Sequence, residues 1–262
     1  MKIKKWPEFI ILFAFTLCVE AKSVHIAVAA NFSNTMKILV KEFEKTSDHS
    51  IAVSFGSSGK FYAQIKQGAP YALFFSADQA KPDLLQKEGL VIAASRFTYA
   101  TGRLALWSAH PDFSNKIDTK LKEGAFKKLA IANPKVAPYG AAAFEVLRYL
   151  ELIDSTESKW VQGANIAQTY QFVRSGNAEL GFIALSQILD MNAVKKVKKG
   201  SYWLVPDMMH TPIKQDVVLL SRAAESLGAK AFLDFIHTDK AQNIITQFGY
   251  LSSSHLNLGQ SI

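Results

Sequence analysis

Residues 50–66 read Ser50-Ile51-Ala52-Val53-Ser54-Phe55-Gly56-Ser57-Ser58-Gly59-Lys60-Phe61-Tyr62-Ala63-Gln64-Ile65-Lys66. The first part has the pattern of a short buried strand, and the last part that of the opening turns of a helix. Between them stand small residues. A helix that starts this way leaves several backbone N–H groups without partners, and its dipole favours an anion in front of them. Gly56 and Gly59 let a ligand approach the backbone, and Ser57 and Ser58 bring hydroxyl donors. The functional reading is an oxyanion cradle. The competing reading is a serine that only caps the helix.

The same device recurs on either side. Val24 to Ala30 reads as a strand, Asn31-Phe32-Ser33 as a loop, and Asn34 to Lys45 as a helix with Met36, Leu39, Val40 and Phe43 along one stripe. Leu73 to Ser76 reads as a third strand, and Ala77-Asp78-Gln79 opens a third helix. Three strand–loop–helix units in a row indicate an α/β domain with a parallel sheet, whose ligands sit at the carboxyl ends of the strands. Further on, the strand 127–132 runs through Asn133-Pro134-Lys135-Val136-Ala137-Pro138-Tyr139-Gly140 into a long helix. There the prolines withhold two donors, and free N–H groups resume at Tyr139. Gly163-Ala164-Asn165-Ile166 opens another helix, and Leu180 to Ala184 is a short strand.

The chain has 262 residues, 49% hydrophobic and 20% charged, which fits one large domain or two lobes with sizeable cores. Residues 1–21 carry Lys2, Lys4 and Lys5, then an apolar run from Phe9 to Cys18, then Val19-Glu20-Ala21. This is the pattern of an export signal and too short to span a bilayer. Cys18 is the single cysteine and leaves with that segment, so the mature chain can hold no disulfide and no thiolate metal site. The formal charge of +8 and the run Lys195-Lys196-Val197-Lys198-Lys199 invite a nucleic-acid reading. No aromatic platform is interleaved with the lysines, and a solvated turn accounts for them better. The six histidines show no metal-ligand spacing, Gly-x-Ser-x-Gly is absent, and the Gly59-Lys60 pair lacks the rest of a phosphate-binding Walker loop. Cradles without a nucleophile–base pair favour binding over catalysis.

Val28-Ala29-Ala30-Asn31-Phe32, Ser54 to Gly59, Gln67-Gly68-Ala69-Pro70, Leu73-Phe74-Phe75-Ser76-Ala77-Asp78, Leu180-Gly181-Phe182 and Gln247-Phe248-Gly249-Tyr250 occur in an order and spacing that resembles the periplasmic molybdate-binding proteins of molybdate ABC importers. The resemblance implies a two-lobed type II periplasmic-binding-protein fold, each lobe a mainly parallel sheet flanked by helices. It implies lobe one at 24–101 with 214–262, lobe two at 102–213, and crossings near Tyr99–Gly102 and His210–Lys214. It implies no enzymatic activity and no cofactor, a molybdate or tungstate ligand, a membrane permease as partner, a monomer, and a periplasmic location. Carried over position by position, the ligand donors fall on Asn31 through its amide, Ser58, Tyr139 after Pro138, and the backbone of Ile166. Ala184 stands where some members carry a ligand-facing tyrosine, and Tyr139 is the nearby candidate to replace it, by hydroxyl or by backbone N–H. Ala72 stands where many relatives are acidic. The alternatives are a binder of another tetrahedral or carboxylate anion, or an enzyme on the same architecture.

Overall fold

A computed structural model describes residues 23–111, 116–189 and 200–251. The export signal read at 1–21, the basic run at 195–199 and residues 252–262 lie outside the described residues.

The chain forms two five-stranded sheets. It begins with β1 (Val24–Ala29), a 3-10 turn at Ala30–Phe32 and α1 (Ser33–Glu44). Then come β2 (Ile51–Gly56), α2 (Ser58–Lys66), β3 (Leu73–Phe75), α3 (Ala80–Lys87) and β4 (Phe97–Gly102). Arg103 alone separates β4 from β5 (Leu104–Ser108), the first strand of the second sheet. There follow α4 (Ile117–Lys122), β6 (Leu129–Ala132), α5 (Pro138–Tyr149), α6 (Ile153–Thr156), β7 (Trp160–Gly163), α7 (Ile166–Arg174), β8 (Leu180–Ala184) and β9 (Ser201–Leu204). The chain then returns with β10 (Ile213–Leu219), α8 (Leu227–His237) and α9 (Asp239–Gln247).

The first sheet has the order β2-β1-β3-β10-β4 and the second β7-β6-β8-β5-β9. In each, four strands run in one direction and a single strand, β10 in the first sheet and β5 in the second, runs against both of its neighbours. The register matters for the site. Ala29 stands beside Gly56, and Val28 beside Phe75, so β1, β2 and β3 end together and the loops that follow lie side by side. In the second sheet Ala132 stands beside Gly163, which aligns the loops before α5 and α7 in the same way. Both crossings leave from neighbouring antiparallel strands, since Ile213 pairs with Gly102.

Each sheet has its own core. Ile26, Val28, Phe32, Met36, Leu39, Phe75, Phe232 and Ile236 fill the first. Leu104, Leu106, Ile131, Val146, Leu147 and Phe182 fill the second. Burying such side chains contributes about 1.5–3 kcal/mol each, which holds the loop-bearing strand ends rigid. The β10 bulge at Gln215/Asp216 turns Asp216 to Arg96 Nε at 2.8 Å and to the Thr98 hydroxyl at 2.6 Å, while Gln215 faces the lobe boundary.

Candidate anion site between the lobes

Four helix starts meet in one small cavity between the sheets. Its walls are Ala29, Ala30, Asn31, Gly56, Ser57, Ser58, Ala77, Ala137, Pro138, Tyr139, Asn165 and Ile166. The four positions expected from the sequence, Asn31, Ser58, Tyr139 and Ile166, all line it.

Ser58 is the first residue of α2 and is fully buried. Its Oγ accepts from the Ala77 N–H at 2.9 Å, so its own hydrogen is left to donate. Ser57 stands at the cap position of the same helix, yet its side chain makes no cap bond. It is 3% exposed, and its Oγ has no partner at all. The capping explanation of this loop therefore fails, and a buried hydroxyl on the cavity wall awaits an acceptor. Sequence reasoning named both serines as donors but assigned only Ser58 to the ligand. Backbone angles at the helix entry decide which serine caps, and two adjacent serines give no sign of it.

At α7 the cap is made, and it is informative. Asn165 Oδ1 accepts from the N–H groups of Ala167 and Gln168, both at 3.0 Å. The N–H of Ile166, one residue earlier, is left at the cavity. Pro138 opens α5 with no N–H, and the Gly140 and Ala141 N–H groups turn back to the Ala137 carbonyl at 2.9 and 3.1 Å. The Tyr139 N–H is again the one left over. The Tyr139 hydroxyl lies at the lobe boundary, where it accepts from Gln215 Nε2 at 3.2 Å.

Asn31 requires a correction. The sequence reading gives the ligand its side-chain amide. In the structure Asn31 Nδ2 donates to Gln215 Oε1 at 2.9 Å and to the Tyr250 hydroxyl at 3.2 Å, which uses both amide hydrogens. What remains for the cavity is the Asn31 backbone N–H, in the first turn of the 3-10 helix.

The lobes touch beside the cavity, where the Gly59 N–H on α2 donates to the Val136 carbonyl at 3.0 Å. The cleft is closed. The empty space is at most about 210 Å3, below the ~300–1,000 Å3 of sites for organic metabolites. It suits a compact polyatomic ion. No ionisable carboxylate, lysine, arginine or histidine lines it. The nearby tyrosines are neutral: burial pushes the Tyr99, Tyr139 and Tyr250 hydroxyls above the ordinary tyrosine range. Among the described residues no cluster of acidic, histidine or cysteine side chains could hold a metal ion, and no helix is long and apolar enough to cross a membrane. A ring of neutral N–H and O–H donors at helix starts can hold a tetrahedral dianion without any counter-charge in contact.

Residues 24–251 match the family model of the bacterial extracellular solute-binding proteins. The molybdate-binding protein ModA of Azotobacter vinelandii is 48% identical over 231 residues, covering 88% of this chain and 90% of that protein. ModA of Rhodobacter capsulatus is 43% identical, covering 92% and 93%. Both relatives are binding proteins and not enzymes. Among solved structures, the periplasmic molybdate-binding protein of Azotobacter vinelandii superimposes with a TM-score of 0.84 at 38% identity, covering 87% of this chain and 99% of that one. The sulfate-binding protein SubI of Mycobacterium tuberculosis shares the fold, with a TM-score of 0.71 at 13% identity and coverage of 88% and 87%.

Proposed function

The chain belongs to the bacterial extracellular solute-binding proteins, in the company of the periplasmic molybdate-binding proteins, and from that premise we propose that it captures molybdate and tungstate in the periplasm for the permease of an ABC importer. The leader at 1–21 directs export, and the mature protein acts as a monomer. The observation that carries this reading is the small closed cavity where four helix starts present neutral donors and no acidic, lysine, arginine or histidine side chain lines the wall. The Ser57 and Ser58 hydroxyls and the N–H groups of Asn31, Tyr139 and Ile166 hold the oxygens. Each charge-assisted bond of this kind contributes about 1.5–3 kcal/mol. The two lobes, 24–101 with 214–262 and 102–213, rotate about the paired crossings and close on the ion.

Selectivity follows from size. Sulfate carries the same charge but is smaller, so donors fixed for the larger ion are left partly unpaired around it. Tungstate is nearly the size of molybdate and binds alike. The test is a thermal-shift panel of molybdate, tungstate, sulfate, phosphate and chromate. Molybdate and tungstate at micromolar concentration are expected to raise the melting temperature strongly, by mass action on the native state, and sulfate and phosphate are not. An equal shift from sulfate overturns the selectivity.

A further inference from the structure

Behind the cavity the lobes are tied by side chains that no ligand role explains. Gln215 on β10 is fully buried and does not line the cavity. Its Nε2 donates across the lobe boundary to the Tyr139 hydroxyl on α5, at 3.2 Å. Its Oε1 accepts from Asn31 Nδ2 at 2.9 Å and from the Tyr99 hydroxyl at 3.0 Å. A second tie runs the other way. Ser186, just after β8, donates its hydroxyl to the Asn31 carbonyl at 3.0 Å, and the Tyr250 hydroxyl donates to Ser186 Oγ at 2.9 Å. Asn31 is thus gripped from both lobes. The strand crossing makes room for this contact. A Cβ on Gly102 would run into the Tyr139 hydroxyl and stand 2.6 Å from Gln215 Nε2.

We propose that Gln215 is a positioning residue: without touching the anion, it locks the Asn31 and Tyr139 helix starts to each other in the closed form and so sets how long the anion stays bound. This rests on the anion-capture reading above. The amide offers a donor to Tyr139 in the far lobe and an acceptor to Asn31 and Tyr99 in the near lobe at once. A buried polar network of this kind holds its geometry when every member is paired and loses it when one is removed. When the cleft opens, Gln215 and Tyr139 part and are solvated separately, so their bond acts on the closed form. Such a contact governs release more than capture.

The test is stopped-flow intrinsic fluorescence with sodium molybdate on the full chain. Gln215→Met keeps the volume and removes both polar contacts. It is expected to speed release at least 10-fold and to change the association rate less than 3-fold. Tyr139→Phe keeps the backbone N–H and removes only the hydroxyl. Alone it is expected to speed release about 5-fold or more, and added to Gln215→Met less than 2-fold further. Unchanged release in both variants, or full effects of Tyr139→Phe in both backgrounds, overturns the proposal. If Gln215→Met does not fold, Tyr139→Phe alone decides: wild-type release refutes.

Gln215→Glu supplies a rescue. Facing it are the neutral Tyr99 of β4, Tyr139 of α5 and Tyr250, while its neighbour Asp216 is paired with Arg96. Protonated, the glutamic acid offers a donor and an acceptor as the amide does. Burial raises the carboxyl above its ordinary range and keeps it protonated in mild acid. Ionised, it can only accept and stands as a buried charge with no cation facing it, which opening the cleft to water relieves. Release is expected to be near wild type at pH 5.5 and at least 10-fold faster at pH 8.5, against a flat wild-type profile. A flat profile for the variant overturns the proposal. A wild-type protein that takes sulfate and not molybdate overturns the ligand reading alone, and the same rates are then compared with sulfate.

Discussion

Gly59→Ala should separate binding from folding. A Cβ at this position would lie 2.9 Å from Val136 Cα, 3.0 Å from Val136 Cβ and 3.1 Å from the Val136 carbonyl oxygen. Carbon atoms settle at about 3.5–4.0 Å, so the two segments must part by roughly 0.5–1 Å. Two of the three opposing atoms belong to backbone and cannot rotate away. Gly59 is on α2 in one lobe, and Val136 precedes α5 in the other, so relief means opening the cleft at its rim. An anion bond stretched from about 2.9 Å past 3.5 Å is no longer a bond. The variant loses the Gly59–Val136 contact, about 0.5–1.5 kcal/mol, and at least one charge-assisted bond to the ion, about 1.5–3 kcal/mol. Together these amount to about 2–4.5 kcal/mol, or roughly 30- to 2,000-fold in affinity. Within the helix, alanine is favoured over glycine by about 0.5–1 kcal/mol, so the ligand-free protein should melt no lower than wild type. Titration calorimetry with molybdate, beside a melt without it, gives both numbers. An affinity within threefold of wild type would refute the claim that the closed cleft is the binding form.

Other substitutions divide the donors from their neighbours. Ser58→Ala should cost about 1.5–3 kcal/mol of binding, or roughly 10- to 150-fold, while Lys60→Ala, outside the cavity wall, should cost well under about 1 kcal/mol and less with added salt. Calorimetry in which Lys60→Ala loses more than Ser58→Ala would rule out the neutral cradle. Ser57→Ala should weaken binding about as much as Ser58→Ala and raise the ligand-free melting temperature, because it deletes a buried hydroxyl that has no partner. A variant that binds like wild type removes Ser57 from the site. The pH dependence of stability has a definite sign. Burial raises the Tyr99, Tyr139 and Tyr250 hydroxyls in the folded protein, whereas in the unfolded chain tyrosine ionises near pH ~10. Below that, both states keep these protons and the tyrosines contribute no slope. Above it the native state holds more protons than the unfolded one, so stability falls as pH rises. The ligand-free melting temperature should decline above about pH 10, less steeply in Tyr99→Phe, and an equal slope in the two proteins would contradict this.

The small loops after β1, β2 and β6 were legible because glycine, serine and proline between a buried strand and an amphipathic helix carry their own local reason. Those loops marked candidate anion cradles, and the family resemblance then singled out Asn31, Ser58, Tyr139 and Ile166, which all line one cavity. What stayed hidden depends on partners far away in sequence. The direction of the Asn31 amide is fixed by Gln215 and Tyr250, which are 184 and 219 residues distant. The strand Phe97–Gly102 reads as a crossing because its sole strand partner in the sheet, β10, comes after the whole second sheet. Trp160–Gly163 is four residues at a sheet edge, too short for alternation to speak. The choice between a serine that caps and a serine that waits for a ligand is a matter of backbone angles, on which Ser57 and Ser58 are identical letters.

The place of β10 between β3 and β4 has a consequence for how the molecule is made. As the chain emerges from its N-terminus, β1 to β4 come first, but β3 and β4 have no common neighbour until residues 213–219 arrive. The second sheet, by contrast, is drawn from one uninterrupted stretch, 104–204, and needs nothing that comes later. The unit made second can therefore be finished first, and the unit made first must wait with an open seam. Long-range pairings of this kind form slowly and leave unpaired strand edges exposed meanwhile. A chain stalled between residues 204 and 213 would hold one sheet with all its strands and one in which the strand that joins β3 to β4 does not yet exist.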